Sequence, residues 1–253
     1  MLALYHCDPN ANSGKPMMTL KEKGVDFVSH YVNLPRFEQH SPEYLEINPK
    51  GQAPTLVHDG VVITESTLMC EYIDEAFDGP PLRPSDPRER WRMRVWNKYM
   101  DEEFGPSLSM IAWSRFLGPM YRNHDPKDIE ALIARIPTEE RRRTWRTAIF
   151  DSFPSGALDE SLRRLKEGAE LLEARLSRDA WLAGESFSLA DIIAFNMAGA
   201  MPVLFGDIMN PKLTPRCMDW LERVRSRPGI GAALAMDRGA LREVGRPPIA
   251  GNQ

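Results

Sequence analysis
The stretch from Asn48 to Ser66, NPKGQAPTLVHDGVVITES, constrains the fold more than any other part of the chain. Asn48-Pro49-Lys50-Gly51 is turn chemistry, because proline fixes φ and glycine accepts a positive φ. Thr55 to Val57 and Val61 to Ile63 are β-branched runs joined across Asp59-Gly60, which predicts a two-residue hairpin. Thr64, Glu65 and Ser66 then open a helix whose apolar residues fall at Leu68, Met69, Tyr72, Ile73 and Phe77, a helical stripe. Pro54 stands at the entry to the first of these strands. A proline there gives up a ladder donor, so it belongs at a first or edge position, or in a cis turn.

Upstream, Leu2 to His6 reads as a strand and Asp8-Pro9-Asn10 as a loop. A helix starts near Asn12-Ser13 and carries Met17, Met18 and Leu20 to Gly24, a C′ glycine. Val25 to Val32 alternates as a second strand, so a β-α-β unit precedes the hairpin. Phe37 to Leu45, FEQHSPEYL, is a connecting loop and short helix. Asp78 to Pro87, DGPPLRPSDP, cannot continue a helix and reads as a linker. The remainder has helical periodicity. Trp91, Val95, Trp96, Tyr99 and Met100 share one face, and Leu158, Leu162, Leu165, Ala169, Leu172 and Leu176 share another. Ser188-Leu189-Ala190-Asp191 has the form of a capping box with Asp in place of Glu, between Phe187 and Ile192 at staple positions. Cys217, Trp220, Leu221 and Val224 make a last core stripe before Arg227-Pro228-Gly229.

These motifs, the QAP…ES hairpin, the SLAD cap and the W…RP helix together, resemble the glutathione transferases over nearly the whole chain. The resemblance implies an α/β thioredoxin-like N-terminal domain followed by an all-α helical C-terminal domain. Their expected bounds are 1–78 and 89–253, with a linker at 79–88 and an inserted segment near 118–156. It also implies that Pro54 is cis and leaves the Ala53 backbone facing a cleft, where the cysteinyl part of glutathione pairs as a short strand. Glu65 would meet the γ-glutamyl ammonium, and Ser66, with the free N–H groups of a helix start, its α-carboxylate. Gln39 and His40 occupy the position that holds the glycine carboxylate in plant-type relatives, which often carry His where this chain has Gln39. Gln52 is a further backbone-contact candidate.

Composition agrees with an ordinary globular protein: 253 residues, 42% apolar and 27% charged. A net charge of −4 offers nothing to nucleic acid or an anionic membrane. No apolar run approaches the ~20 residues that span a bilayer, and no signal peptide is expected. Three scattered cysteines without a CxxC point to a reducing, cytoplasmic setting. Dispersed histidines and carboxylates predict no metal. Arg141-Arg142-Arg143 with Arg146 reads as a solvated helix face.

The chemistry begins with a thiol. With a pKa near ~8.5, a free thiol is mostly protonated at neutral pH. One or two charge-assisted hydrogen bonds of roughly 1.5–3 kcal/mol lower that value enough. Asn12 and Ser13 lie in the first turn of the first helix, where free N–H groups also favour an anion. In related transferases this is where a Ser or Asn meets the sulfur, so Ser13 is the expected donor with Asn12 assisting. The rivals are Tyr5, where other classes place a catalytic tyrosine, and Cys7, which would form a mixed disulfide. Cys70 and Cys217 fall on apolar faces and read as core.

The PNANSGKP, FEQHSPEYLEINPKGQAP and ITESTLMCEYI motifs and the IP…W…FP…LDE insertion are similar to those of bacterial β-etherases. That resemblance implies glutathione-dependent cleavage of a β-aryl ether in a lignin-derived α-keto aromatic dimer. Trp113, Phe116, Tyr121, Phe150 and Phe153 are candidates for the aromatic pocket. Two other readings are a general transferase for aromatic electrophiles and a weakly active subunit of a heterodimer. The family's assembly implies a homodimer, or a heterodimer with another glutathione-transferase chain, with the Trp91–Phe104 helix at the contact.

Overall fold
The computed structural model describes residues 1–239. Residues 240–253, the end of the expected helical domain, lie outside the described residues. Strands β1 (Leu2–His6), β2 (Val28–Tyr31), β3 (Thr55–His58) and β4 (Val61–Ile63) form one sheet in the order β2-β1-β3-β4. β2 is parallel to β1, whereas β3 and β4 are antiparallel to their neighbours. Helix α1 (Ala11–Lys23) joins β1 to β2, α2 (Pro42–Ile47) precedes β3, and α3 (Ser66–Ala76) follows β4. This is a thioredoxin-like arrangement.

Local chemistry accounts for these boundaries. Asp59 and Gly60 both have positive φ, 48° and 84°, the backbone that a tight hairpin between right-twisted strands requires. Gly24 closes α1 in the left-handed region, and Val25 N–H returns to the Leu20 carbonyl at 3.0 Å. That bond consumes Val25, so the second strand begins at Val28 and not at Val25. Helix α1 itself starts one residue earlier than Asn12, with Asn10 at its cap.

The rest is helical. Helices α4 (Pro87–Tyr99), α5 (Gly105–Ala112) and α6 (Gly118–Tyr121) follow one another through π-helical turns at Met100–Phe104 and Trp113–Leu117. Then come α7 (Pro126–Ala134), α8 (Glu139–Phe150), α9 (Ser155–Leu176), α10 (Leu189–Ala198), α11 (Met201–Leu204), α12 (Pro215–Arg225) and α13 (Pro228–Leu234). The Ser188 cap is reciprocal. Its hydroxyl accepts from Ala190 N–H, while Asp191 accepts from Ser188 N–H at 3.0 Å. Asp191, fully buried, also accepts from Leu182 N–H and Trp220 Nε1, which ties α10 to α12.

Two hydrophobic cores result among the described residues. The larger runs from Leu4, Met17 and Ile73 through Ile192 and Ile193 to Trp220, so the sheet and the helical bundle share one interior. The smaller comprises Phe37, Tyr121, Ile129, Ile133, Ile136, Trp145 and Ile149. Six of these belong to α6–α8 and the adjoining turn; Phe37 comes from the loop before α2. The inserted segment is therefore helical and docked on the thioredoxin-like half. Two stripes differ from expectation. Leu68 is 60% exposed and Trp91 64% exposed, with Val95 also on the outside. The buried face of α4 and its π-helical extension is Met93, Asn97, Met100 and Phe104, so of the expected stripe only Met100 is fully buried, with Trp96 and Tyr99 half-buried against the core. Periodicity identified the apolar residues but not which apolar face the monomer buries.

Candidate active site
Asn12 and Ser13 sit in the first turn of α1, where backbone N–H groups have no carbonyl within the helix to meet. Ser13 is buried, and its Oγ accepts a hydrogen bond from Cys7 N–H at 3.1 Å. Because the oxygen is the acceptor in that bond, its proton is left for another partner. Gly14 lets α1 seat closely: a Cβ there would lie 1.8 Å from Asn196 Oδ1 on α10. Exposed Asn12 meets the start of α3, with Ser66 Oγ donating to Asn12 Oδ1 at 3.4 Å. The N-termini of two helices thus converge.

Facing them is the entry to β3. The Ala53–Pro54 bond is cis. Pairing of β3 with β1 begins at Thr55, and the Ala53 backbone makes no hydrogen bond among the described residues. The Gln52 carbonyl is already engaged by Tyr44 Oη at 2.7 Å and Asn48 Nδ2 at 2.9 Å, so only its N–H and side chain remain for a ligand. Glu65 holds the cap of α3 at φ 66°, with its exposed carboxylate 3.1 Å from Lys50 Nζ.

Behind Ser66 lies a network that sequence reasoning missed. Lys15, 1% exposed, donates to Asp101 Oδ1 at 2.7 Å and to Thr67 Oγ1 at 3.3 Å. Thr67 Oγ1 donates to the same Asp101 oxygen at 3.0 Å. Asp101 belongs to the π-helical turn after α4, so this cluster fixes α1, α3 and the helical half together. A buried lysine needs an anion, because an unpaired charge in the interior costs several kcal/mol. The signal in the sequence was Lys15 on the same face as Met18 and Thr19; its partner, far along the chain, left none.

Gln39 and His40 lie on one 3₁₀ turn before α2. Gln39 is 3% and His40 1% exposed, yet Gln39 Oε1 and both ring nitrogens of His40 have no hydrogen-bond partner among the described residues. Burial, with the guanidinium groups of Arg141 and Arg135 beside it, pushes the His40 pKa down to about 4. The ring is therefore neutral at pH 7 in the unliganded chain.

The rivals are placed elsewhere. Tyr5 stacks on His30, with ring centroids 4.4 Å apart, and contacts Tyr44. Its neighbours Leu4 and His6 face the other way along the strand. Cys7 is buried, and burial pushes its thiol pKa up, which disfavours the reactive thiolate. Cys70 and Cys217 are buried, with burial raising the Cys70 pKa to about 12. Of the aromatic candidates, Tyr121 is interior and donates to the Pro35 carbonyl, and Trp113 packs on Trp145 at 4.4 Å. Phe116 and Phe150 present exposed surface, and Phe153 is half-buried. Among the described residues no cluster has metal-ligand geometry, and no helix is long and apolar enough to cross a membrane.

Residues 11–76 match the model of the glutathione S-transferase N-terminal domain, and residues 141–228 that of the C-terminal domain. Protein LigF of Sphingobium sp. (strain NBRC 103272 / SYK-6) is 40% identical, the match covering 90% of this chain and 91% of that protein. The crystal structure of the β-etherase LigF from that strain superposes with a TM-score of 0.89, covering 92% of this chain and 98% of the other. A glutathione transferase from Populus trichocarpa, at 23% identity, shares the fold with a TM-score of 0.70, over 92% of this chain and 99% of the other. With two matching domain models, one on each half, and a 40% identical relative along nearly its full length, the chain belongs to the glutathione S-transferase family.

Proposed function
We propose that this protein uses glutathione to cleave the β-aryl ether bond of lignin-type α-keto aromatic dimers. The observation that carries this reading is the likeness to the β-etherase LigF, which extends through the inserted segment and over nine-tenths of the chain. The residues fit the co-substrate. Ser66 and the free N–H groups at the start of α3 suit its γ-glutamyl carboxylate, and Glu65 its ammonium. The open Ala53 backbone suits a short antiparallel pairing with the cysteinyl unit. Gln39 and His40, buried without partners, suit the glycine end.

Ser13 Oγ–H then donates a hydrogen bond to the sulfur and holds it as thiolate once the thiol proton has passed to solvent, with Asn12 at its side. The thiolate attacks the carbon beside the ketone from the face opposite the ether oxygen. A C–S bond forms, the C–O bond breaks, and the aryl oxide leaves with the electron pair and becomes a phenol on protonation. One glutathione and one ether give one thioether, inverted at that carbon, and one phenol. The adjacent carbonyl activates the carbon, so the protein's share is thiolate, alignment and an aromatic pocket.

Residues 1–78 then form the core of the glutathione site, and residues 89–253 hold the aromatic substrate. Exposed Leu68, Trp91 and Val95 flank the Arg94–Glu71 ion pair that joins α4 to α3, and a second copy covers this surface in a dimer. Three unpaired cysteines suit a reducing, cytoplasmic setting. The test is phenol release from each enantiomer of a model ether by the purified chain. Release that requires glutathione is expected, and release at equal rate without it would reject the reading.

A further inference from the structure
The arginine run on α8 does not behave as one solvated face. Arg142 pairs with Glu139 at 2.9 Å and Arg146 with Glu130 at 3.0 Å, while Arg143 is exposed. Arg141 is different. Its Nε is buried with no partner, and it makes no salt bridge among the described residues. The side chain is half-buried beside Glu140, and burial of its Nε without a partner carries a cost that an arriving anion would offset.

Packing says where that anion would sit. Trp145 lies one helical turn beyond Arg141, on the same face of α8, and its ring is 4.5 Å from Phe37. Phe37 in turn lies 5.9 Å from His40, and Arg135 Nε donates to the His40 carbonyl at 3.2 Å. The inserted helices are thus clamped onto the turn that carries Gln39 and His40, and those two side chains, like Trp145 Nε1, are buried there without partners among the described residues. The His40 ring also abuts Gly51, where a Cβ would fall 2.6 Å from Nδ1. Gly51 is two residues before Ala53, so a peptide anchored at Ser66 and paired at Ala53 ends beside this cluster.

We infer that Arg141 of the inserted segment, with His40 and Gln39, binds the glycine carboxylate of glutathione. The insertion then contributes directly to co-substrate binding as well as to the aromatic side of the cleft. The inference rests on the glutathione reading above.

Its test is calorimetric titration with glutathione and with γ-glutamylcysteine, which lacks the glycine residue. Wild type, Arg141→Gln and Arg141→Lys are compared, with melting temperatures beside them. Arg141→Gln is expected to weaken glutathione binding by about tenfold or more and γ-glutamylcysteine binding by less than about twofold, with Arg141→Lys restoring part of the preference. The ratio of the two affinities is read within one protein, so a general loss of stability does not imitate it. Equal losses for both peptides, or unchanged glutathione affinity, would overturn the inference. Unchanged glutathione affinity with slower turnover of carboxylate-bearing aromatic ethers would place the anion on the other substrate and also overturn it. A wild-type chain that binds neither peptide would remove the glutathione reading itself.

Discussion

Ser13→Ala removes the one hydroxyl that the fold places at the start of α1 with its proton uncommitted. A charge-assisted hydrogen bond to the thiolate is worth roughly 1.5–3 kcal/mol, which converts to about one to two units of thiol pKa. The rate does not fall by the whole of that. A more basic thiolate is a better nucleophile, with a Brønsted coefficient of ~0.4–0.5 in thiol exchange, so nearly half of the loss is returned. Cleavage well below the thiol pKa should therefore slow by about threefold to fifteenfold. Above the shifted pKa the deficit should vanish, and the variant's more basic thiolate should then make it the faster of the two. The variant also orphans Cys7 N–H, so some loss of stability is expected; Ser13→Thr keeps the oxygen and should recover most of both effects. The assay is thiolate absorbance against pH on the glutathione complex, beside single-turnover cleavage across the same range. An unaltered thiol pKa with an unaltered rate would refute the donor role and leave Asn12, because Tyr5 is stacked on His30. A loss of equal size at every pH would refute it too, since it would mean that Ser13 aligns the thiolate without stabilising it.

Four further outcomes follow from the geometry. Glu65→Ala or Ser66→Ala should weaken glutathione by about tenfold or more, measured by calorimetry, with the fold intact by circular dichroism. Asp191→Ala leaves buried Leu182 N–H, Ser188 N–H and Trp220 Nε1 unsatisfied, so it should cost about 3–5 kcal/mol and lower Tm by on the order of 10 °C. His40 is held near pKa 4 when folded against a usual 6.5, so between those values the unfolded chain binds more protons and stability falls as pH drops. That loss should reach about 2 kcal/mol at pH 5 in urea titrations, and His40→Asn should flatten it. Trp91→Glu places a charge on the exposed face of α4 and should turn a light-scattering dimer into a monomer at micromolar concentration.

The sequence was most legible where a few neighbouring residues settle the backbone among themselves. Asp59-Gly60 can form a tight turn without outside help, Gly24 can end a helix, and Ser188 and Asp191 can cap each other. The motifs around Ser13, Ala53-Pro54 and Ser66 have this local character, and the fold brings the Asn12 and Ser66 side chains together. Choices between chemically similar faces were not legible. Leu68 and Met69 are both apolar, but only Met69 finds the main core. Arg141 and Arg142 differ in the direction they point from α8, and that direction matters only because Trp145 meets Phe37. Lys15 stands on an apolar face of α1, but its partner is known only once the π-helical turn brings Asp101 across to it. Long-range pairings of this kind leave no local pattern, so the inserted segment was recognisable as helical while its hold on the turn that carries Gln39 and His40 was not.

Displacement of the aryl oxide by a glutathione thiolate, at the carbon beside the ketone, is the step on which the proposed function stands. It is tested most directly by following one enantiomer of a model α-keto ether with isotopically labelled glutathione, then resolving the products by chiral chromatography and mass spectrometry. Equal amounts of phenol and a labelled thioether are expected, with the configuration at that carbon inverted. A racemic or retained thioether, or phenol released while the label stays on free or oxidised glutathione, would contradict it.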